Sequence, residues 1–331
     1  MRHLKMPRKY LAGLALVSAA IFLCACTSPE RRTELEPGEW RQIAVVLEGD
    51  GTADTLVSAA LIRGAALKDS GAALADLDRA LRVTPQQPDA AWLALNICID
   101  MPGCAQAPRG ARLRELDPSN AAASYAALTE ARRNGDVAAE DRALAAMADA
   151  KYFDLYWSRL LTRSIDTLVR PRGSAQSPLR DLRLASVEAL GWLAAVDIPP
   201  FMSSSDTCKG DRLKRDDVAD WCRKLTFVYD NSDTYIAQMF GAATATRVWN
   251  SESPERARFS GRQREYNYLR EMTAPYDDTV HVSVEDTQRW LNRFRSNRSE
   301  RDAYRAWLTE LGIATEPPAD WAPRKTVATS R

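Results

Sequence analysis

A pattern that occurs twice within residues 80–128 constrains the fold of this chain more than any other feature. The first copy spans residues 80–85 (ALRVTP) and is followed by Trp92. The second spans residues 113–118 (LRELDP) and is followed by Tyr125. In each copy an apolar helix end meets a proline, and an aromatic residue comes seven positions later. Units of this length predict helix–turn–helix pairs that stack on one another to bury their apolar faces.

The 33-residue spacing from Trp92 to Tyr125, with a proline at each helix boundary, resembles the tetratricopeptide repeat family. The resemblance implies a solenoid of stacked helical pairs, which we assign to residues 40–197. Apolar residues recur at helical spacing beyond this segment as well. We therefore expect an all-α fold, in which a smaller helical unit at residues 198–312 follows the solenoid, and residues 313–331 form a flexible tail.

Local signals predict where several helices begin and end. Thr52 and Asp89 are predicted N-caps, and Ser283 and Ser299 each precede an acidic residue by three positions, as in a capping box. We expect Gly312 to follow the last turn of a helix.

Two further segments are predicted boundaries. Residues 231–233 (NSD) are expected to cap the helix that follows them, and residues 274–278 (APYDD) to form a turn after a charged helix that begins at Pro254.

The first 25 residues read as a signal peptide. Four basic residues precede an apolar run from Leu11 to Leu23, which is too short to span a bilayer comfortably. Residues 23–26 (LCAC) then resemble the lipobox of bacterial lipoproteins. The resemblance implies cleavage before Cys26 and a lipid on its sulfur, and Thr27 after it favours the outer membrane. The alternative is an ordinary secretory signal that is cut elsewhere.

Residues 26–39 are polar and hold prolines, which is typical of a tether between a lipid and a fold. A chain cut before Cys26 has a net charge of −3, because residues 1–25 carry four basic residues and no acidic one. This balance disfavours a nucleic-acid partner, which usually requires a basic domain.

Four cysteines remain after Cys24 leaves with the signal and Cys26 takes the lipid. An even number in an exported chain indicates disulfides, and four cysteines allow three pairings. Proximity in sequence favours Cys98–Cys104 and Cys208–Cys222. Zinc is the competing interpretation, but the chain has no C-x-x-C pair, and His281 is the only histidine of the mature chain. We expect no metal and no cofactor.

No catalytic set stands out in the sequence. His281 has Ser283 and Asp286 nearby, but these two residues are already predicted to cap a helix. A G-x-S-x-G elbow, a P-loop, a dinucleotide fingerprint and an H-E-x-x-H motif are missing. Carboxylates in helical segments could serve glycoside cleavage but have no distinguishing pattern; these are Glu130, Glu140, Asp154, Glu188 and Glu265.

An excess of arginine between residues 289 and 305 is the candidate binding surface, and its first four members are Arg289, Arg293, Arg295 and Arg298. The alternative is a solvated helix face. The aromatic residues of the repeats are expected to lie in the core rather than in a ligand box.

Taken with the lipobox, these features predict a non-enzymatic, membrane-anchored periplasmic scaffold or adaptor for an envelope protein, in line with tetratricopeptide lipoproteins. The alternative function is a carboxylate-dependent enzyme that acts on envelope glycans.

Overall fold

A computed structural model describes residues 35–173, 177–280 and 282–323 of the chain. These residues form fifteen α-helices, a π-helical segment at Ile62–Ala66 and a 3₁₀ helix at Gly210–Lys214, and no β-strand occurs among them, so the all-α prediction is confirmed. The helices are α1 (Pro37–Asp50), α2 (Ala53–Leu61), α3 (Ser70–Val83), α4 (Pro88–Ile99), α5 (Gln106–Leu116), α6 (Ala122–Asn134), α7 (Val137–Ala148), α8 (Trp157–Val169), α9 (Leu182–Val196), α10 (Met202–Thr207), α11 (Asp216–Asp230), α12 (Tyr235–Val248), α13 (Pro254–Val280), α14 (Val284–Ser296) and α15 (Glu300–Glu310).

Three of the predicted N-caps are confirmed. The side chains of Thr52, Ser283 and Ser299 each accept a hydrogen bond from the backbone N–H three residues on. Gly312 follows α15 with a φ of 70°, in the left-handed region that glycine enters at low cost. These signals succeed because a cap depends only on its own side chain and the first turn of the helix.

Two of the predicted helix boundaries are wrong. Asp89 lies inside α4, which begins at Pro88, and its buried carboxylate pairs with Arg163 on α8. The side chain of Thr234 caps α12, rather than residues 231–233, while Asp233 serves another helix. In both places the carboxylate that we predicted to cap a helix binds a group that is distant in the sequence instead.

The turn predicted at residues 274–278 is also wrong, because α13 continues to Val280 with Pro275 inside it. A proline in a helix interior removes one backbone hydrogen bond, so tertiary packing must offset the loss. The ring of Tyr276 lies 6.4 Å from that of Trp307 on α15, and α13 packs along α15. This contact holds the helix past the proline.

Helices α2 to α7 pack in an unbroken series, in which each helix contacts the next along the chain. Helices α4 and α6, which carry Trp92 and Tyr125, also contact one another across the helix between them. A guanidinium–carboxylate pair joins α5 to α3, with both Arg109 nitrogens on the two oxygens of Asp78. Helices α3 and α5 are therefore held together by an ion pair in addition to the packing of each helix on the next.

The ring of Phe153, in the segment between α7 and α8, is the centre of the aromatic core. It lies 6.4 Å from the ring of Trp92, 5.9 Å from Tyr125, 5.6 Å from Phe201 and 4.9 Å from Tyr229. All five side chains are buried. Phe153 thus joins helices from both sides of the predicted boundary at residue 197.

The segment after α15 packs onto α13 as far as the described residues reach. Trp321 lies 5.3 Å from the ring of Tyr268, and Ile313 packs against the same cluster. The guanidinium of Arg264 donates hydrogen bonds to the carbonyl oxygens of Ala319 and Trp321. Residues 324–331 of the predicted tail lie outside the described part of the chain.

Candidate functional site

The four arginines predicted to form a binding surface pair with four different carboxylates. Arg289 pairs with Asp286, Arg293 with Glu310, Arg295 with Asp166 and Arg298 with Asp154. These carboxylates belong to α14, α15, α8 and the segment before α8. Arg293 and Arg295 therefore connect α14 to α15 and α8, Arg298 joins two loop segments, and Arg289 pairs within α14. Each of the four charges is at least partly neutralised.

The sulfur atoms of both predicted cysteine pairs lie at disulfide distance, 2.01 Å for Cys98–Cys104 and 2.04 Å for Cys208–Cys222. The first pair spans the turn between α4 and α5. The second joins the end of α10 to the middle of α11. Cys26 and His281 lie outside the described residues, as do the signal peptide and most of the tether.

Cationic side chains converge on a pocket of about 570 Å³ that the sequence did not indicate. Lys151 comes from the loop after α7, Lys224 from α11, Arg258 and Arg262 from α13, and Arg301 from α15. The other lining residues are Ala148, Ala150, Phe227, Val228, Asp230 and Asn231. Five cations thus face one carboxylate. We call this site the cationic pocket.

Asp230, at the end of α11, holds the arginines of the cationic pocket together. Its carboxylate lies 2.6 Å from Arg258 Nη2, 3.3 Å from Arg262 Nε and 3.8 Å from Arg301 Nη1. One negative charge reduces the repulsion among three positive ones, which allows the guanidinium groups to stay close. The three arginines and Asp230 together keep a net positive charge. Glu265, which lies 2.9 Å from Arg262, balances part of that charge.

Phe227 is an apolar part of the lining of the cationic pocket, and a hydrogen bond holds the loop that carries Lys151. The Arg258 guanidinium lies over the ring of Phe227, 5.1 Å from its centroid, a cation–π arrangement. The side-chain amide of Asn231 donates to the carbonyl oxygen of Lys151 over 2.9 Å. That bond fixes the backbone of Lys151, whose exposed ammonium group forms no ion pair within the described residues.

A second, smaller pocket lies between α3, α4 and α5. Its volume is about 290 Å³, and its lining is mostly apolar: Leu81, Ala91, Ala105 and Pro108, with Arg109 and Arg112 beside them. Both arginines are occupied, since Arg109 pairs with Asp78, and Arg112 binds Glu115 and the carbonyl oxygen of Pro85. We call this site the repeat groove.

Comparison of the chain with protein-family models, with curated proteins and with solved structures gives no match. None of the helices in the described ranges is long and apolar enough to cross a membrane. Within the same ranges, no group of three or more histidine, cysteine or acidic side chains is arranged to hold a metal ion. The chemistry of the two pockets is therefore the basis for functional argument.

Three carboxyl groups with raised pKa values interact with distant parts of the fold: Asp197 and Asp233, which are buried, and Glu300, which is half-buried. Burial raises the pKa of Asp197 well above its ordinary value, and the nearby Asp233 adds to the effect. Burial, with a contribution from Asp154, also raises the pKa of Asp233 well above its ordinary value. Burial alone raises the pKa of Glu300 to about 7.

Two of these carboxyl groups, those of Asp233 and Glu300, bind the N-terminal ends of helices. Asp233 accepts hydrogen bonds from the backbone N–H groups of Leu155 and Trp157 at 2.9 and 2.8 Å, at the start of α8. Between these two, Tyr156 has a left-handed φ of 58°. Glu300 accepts from the N–H of Tyr235 over 2.7 Å, at the start of α12. Their role is structural, because they join helix ends that the sequence keeps far apart.

The acidic residues named as catalytic candidates are dispersed. Glu140 binds Arg132 and Thr207, Glu188 pairs with Arg180, Glu265 lies by the cationic pocket and Glu130 is exposed.

Trp92, Tyr125, Tyr156 and Trp157 are buried, as expected of core aromatics, while Tyr152 is half-buried and donates to Asp117.

Sequence reasoning missed the cationic pocket because its members come from four segments. Lys151, Lys224, Arg258 and Arg262 lie in stretches with ordinary charge balance, and only Arg301 belongs to the arginine-rich run. Neighbours in space cannot be found from one sequence when they are this far apart in the chain.

Proposed function

We propose that this chain is a non-enzymatic adaptor of the bacterial cell envelope. A lipid on Cys26 holds it at the periplasmic face of the outer membrane, and residues from about 40 onward bind an envelope protein. The basic start, apolar run and lipobox of residues 1–26 support the location. Several acyl chains anchor a protein stably where a single chain binds only marginally.

The observation that carries the adaptor proposal is the equivalence of Trp92 and Tyr125. They occupy matching positions in α4 and α6, are fully buried, and pack edge-on against the same ring, Phe153. Together with the contact between α4 and α6, this supports a tetratricopeptide-like solenoid over residues 40–197 and a smaller helical unit after it. Such solenoids bind proteins along surfaces formed by successive repeats.

The docking site that we propose is the repeat groove. Its apolar walls suit an apolar anchor side chain on a segment of the partner protein, because a desolvated side chain in a pocket typically dominates binding. Arg109 and Arg112 already have partners in this chain, so the groove is specified by its shape and apolar lining rather than by charge.

The alternative, a carboxylate-dependent enzyme acting on envelope glycans, receives less support. Such an enzyme needs a general acid with a raised pKa that a polysaccharide can reach. Asp197, Asp233 and Glu300 have raised pKa values, but Asp197 and Asp233 are buried, and the half-buried Glu300 binds the N–H of Tyr235. Burial raises the pKa of Asp154 too, and that carboxylate pairs with Arg298 and is largely covered.

Site-specific cross-linking in intact cells tests the adaptor proposal. A photo-reactive residue at Ala105, which lines the repeat groove, should give one reproducible protein adduct. The same residue at Ala107, which is exposed on α5 but outside the groove, should not. Filling the groove by Ala105→Trp should abolish the native interaction, while Ala107→Trp leaves it intact.

Two outcomes would contradict the adaptor proposal. Equal labelling from both positions, or none from either, would exclude the repeat groove as the docking site. Measurable turnover of peptidoglycan by the purified chain would favour the enzyme instead. The location is tested separately, because Cys26→Ala should prevent incorporation of a palmitate analogue and leave the signal peptide uncleaved.

A further inference from the structure

We propose that the cationic pocket is a binding site for a small ligand with one or more phosphate groups. This inference is independent of the adaptor proposal, since it concerns a different surface. Its basis is the charge of the lining, in which Lys151, Lys224 and three arginines face a single carboxylate, Asp230. Lys224 also pairs with Asp220 at 3.0 Å and Arg262 with Glu265 at 2.9 Å, so the five cations exceed these three carboxylates by two charges.

Hydrogen-bond acceptors are in short supply around the arginines of this pocket. Nε and Nη1 of Arg301 and Nε of Arg262 are buried without a hydrogen bond within the described residues. Asp230 has two oxygen atoms to share among three guanidinium groups, and of these three only Arg262 also donates, in the described part of the chain, to another carboxylate of the site, that of Glu265. Additional anionic oxygens would satisfy donors that the protein leaves unmatched.

The size of the pocket favours a small ligand, and its charge favours phosphate over carboxylate. A volume of about 570 Å³ suits a small ligand rather than a long acidic peptide. A phosphate monoester carries about −1.5 to −2 charges with three acceptor oxygens, whereas a carboxylate carries one charge with two. One phosphate group therefore matches an excess of about two charges, and the flat guanidinium groups of Arg258 and Arg262 suit its oxygens.

The pocket also has a surface for the organic part of such a ligand. Phe227 and Val228 provide an apolar floor beside the cations. The ligand is either a soluble phosphate compound or a lipid headgroup, since both present the same phosphate chemistry. A single assay can separate these two sources.

The test uses the full-length chain in a non-ionic detergent and titration calorimetry at about 0.15 M salt, where non-specific attraction between exposed charges is largely screened. The probe is inorganic triphosphate, and we expect saturable binding with one site per chain. Lys151→Gln combined with Arg258→Gln should weaken that binding about tenfold or more. Arg41→Gln combined with Arg114→Gln removes the same charge from exposed positions outside the pocket and should leave it unchanged.

Lys151→Gln alone is the variant to use if the double substitution impairs folding, because Lys151 is exposed and makes no ion pair in the described part of the chain. Micelles doped with phosphatidic acid distinguish the two sources. Displacement of triphosphate by them indicates a lipid headgroup, and persistence of binding indicates a soluble ligand. Absence of saturable binding, or equal loss in the pocket and control variants, would overturn the proposal.

Discussion

The indole N–H of Trp92 donates a hydrogen bond to Oδ1 of Asp197 over 2.6 Å, and both side chains are buried. These residues are 105 positions apart, on α4 and at the end of α9. A second bond, from the Asn96 side chain to the carbonyl oxygen of Val196 at 2.8 Å, lies beside the first. The aromatic residue of α4 therefore also fixes the position of α9, which is distant in sequence.

Replacement of Asp197 tests what this contact contributes. Asp197→Ala leaves the indole N–H of Trp92 buried without an acceptor and should lower the free energy of unfolding by about 1–3 kcal/mol. Asp197→Asn keeps an acceptor oxygen and avoids a buried charge, so its cost should be below about 1 kcal/mol. Urea denaturation measures both. Equal losses for the two variants would show that the negative charge itself stabilises the core.

Stability should fall as pH rises from about 4.5 to about 7 and level off above that. Burial raises the pKa of Glu300 from 4.5 to about 7, and burial with the neighbouring Glu48 raises the pKa of Asp76 from 3.8 to about 7. The folded chain therefore binds protons more tightly than the unfolded chain between these values, and it loses stability as they are released. The change from Glu300 is roughly 3 kcal/mol.

Urea titrations at several pH values check this dependence. Glu300→Gln keeps an acceptor for the N–H of Tyr235 and should flatten the pH profile. Glu130→Gln, at an exposed position, is the control and should leave the profile unchanged. A profile that rises with pH would contradict the prediction.

Two glycines should respond to the same substitution in opposite directions. A Cβ on Gly241 would lie 2.8 Å from the Cβ of Tyr229 and 3.1 Å from the carbonyl oxygen of Thr226, where α12 crosses α11. Gly241→Ala should therefore cost about 1–3 kcal/mol. Gly261 on α13 has no atom within 4 Å of the added Cβ, so Gly261→Ala should stabilise by about 0.5–1 kcal/mol. Thermal denaturation distinguishes these signs, and destabilisation by both would refute the packing argument.

The two cysteine pairs should differ in their effect on stability. The Cys208–Cys222 pair has a sequence separation of 14, against 6 for Cys98–Cys104. The chain-entropy model gives about 3 kcal/mol for the longer loop and about 2.4 kcal/mol for the shorter one. Double serine variants of each pair, compared by urea denaturation, measure the two losses. Free thiols at all four positions in the native protein would refute both bridges.

The sequence by itself determined the helical class of the fold, several helix starts and the pairing that proximity favoured for the cysteines. These depend on interactions within a few residues. Ser283 and Ser299 cap their helices through bonds to the next turn, and Gly312 ends one through its own backbone freedom. The burial of Trp92 and Tyr125 could be predicted because each follows a helix boundary at the same spacing and lies on an apolar helix face.

Only the tertiary structure decided where the charged residues act. Asp89 and Asp233 do not cap the helices that their sequence positions indicated. Their buried carboxylates bind groups that are distant in the chain: Arg163 for Asp89, and the backbone N–H groups at the start of α8 for Asp233. Pro275 stayed within a helix because α13 packs against α15. The cationic pocket brings together side chains from four segments, since a guanidinium or ammonium group finds its neighbours through space, and folding alone sets those distances.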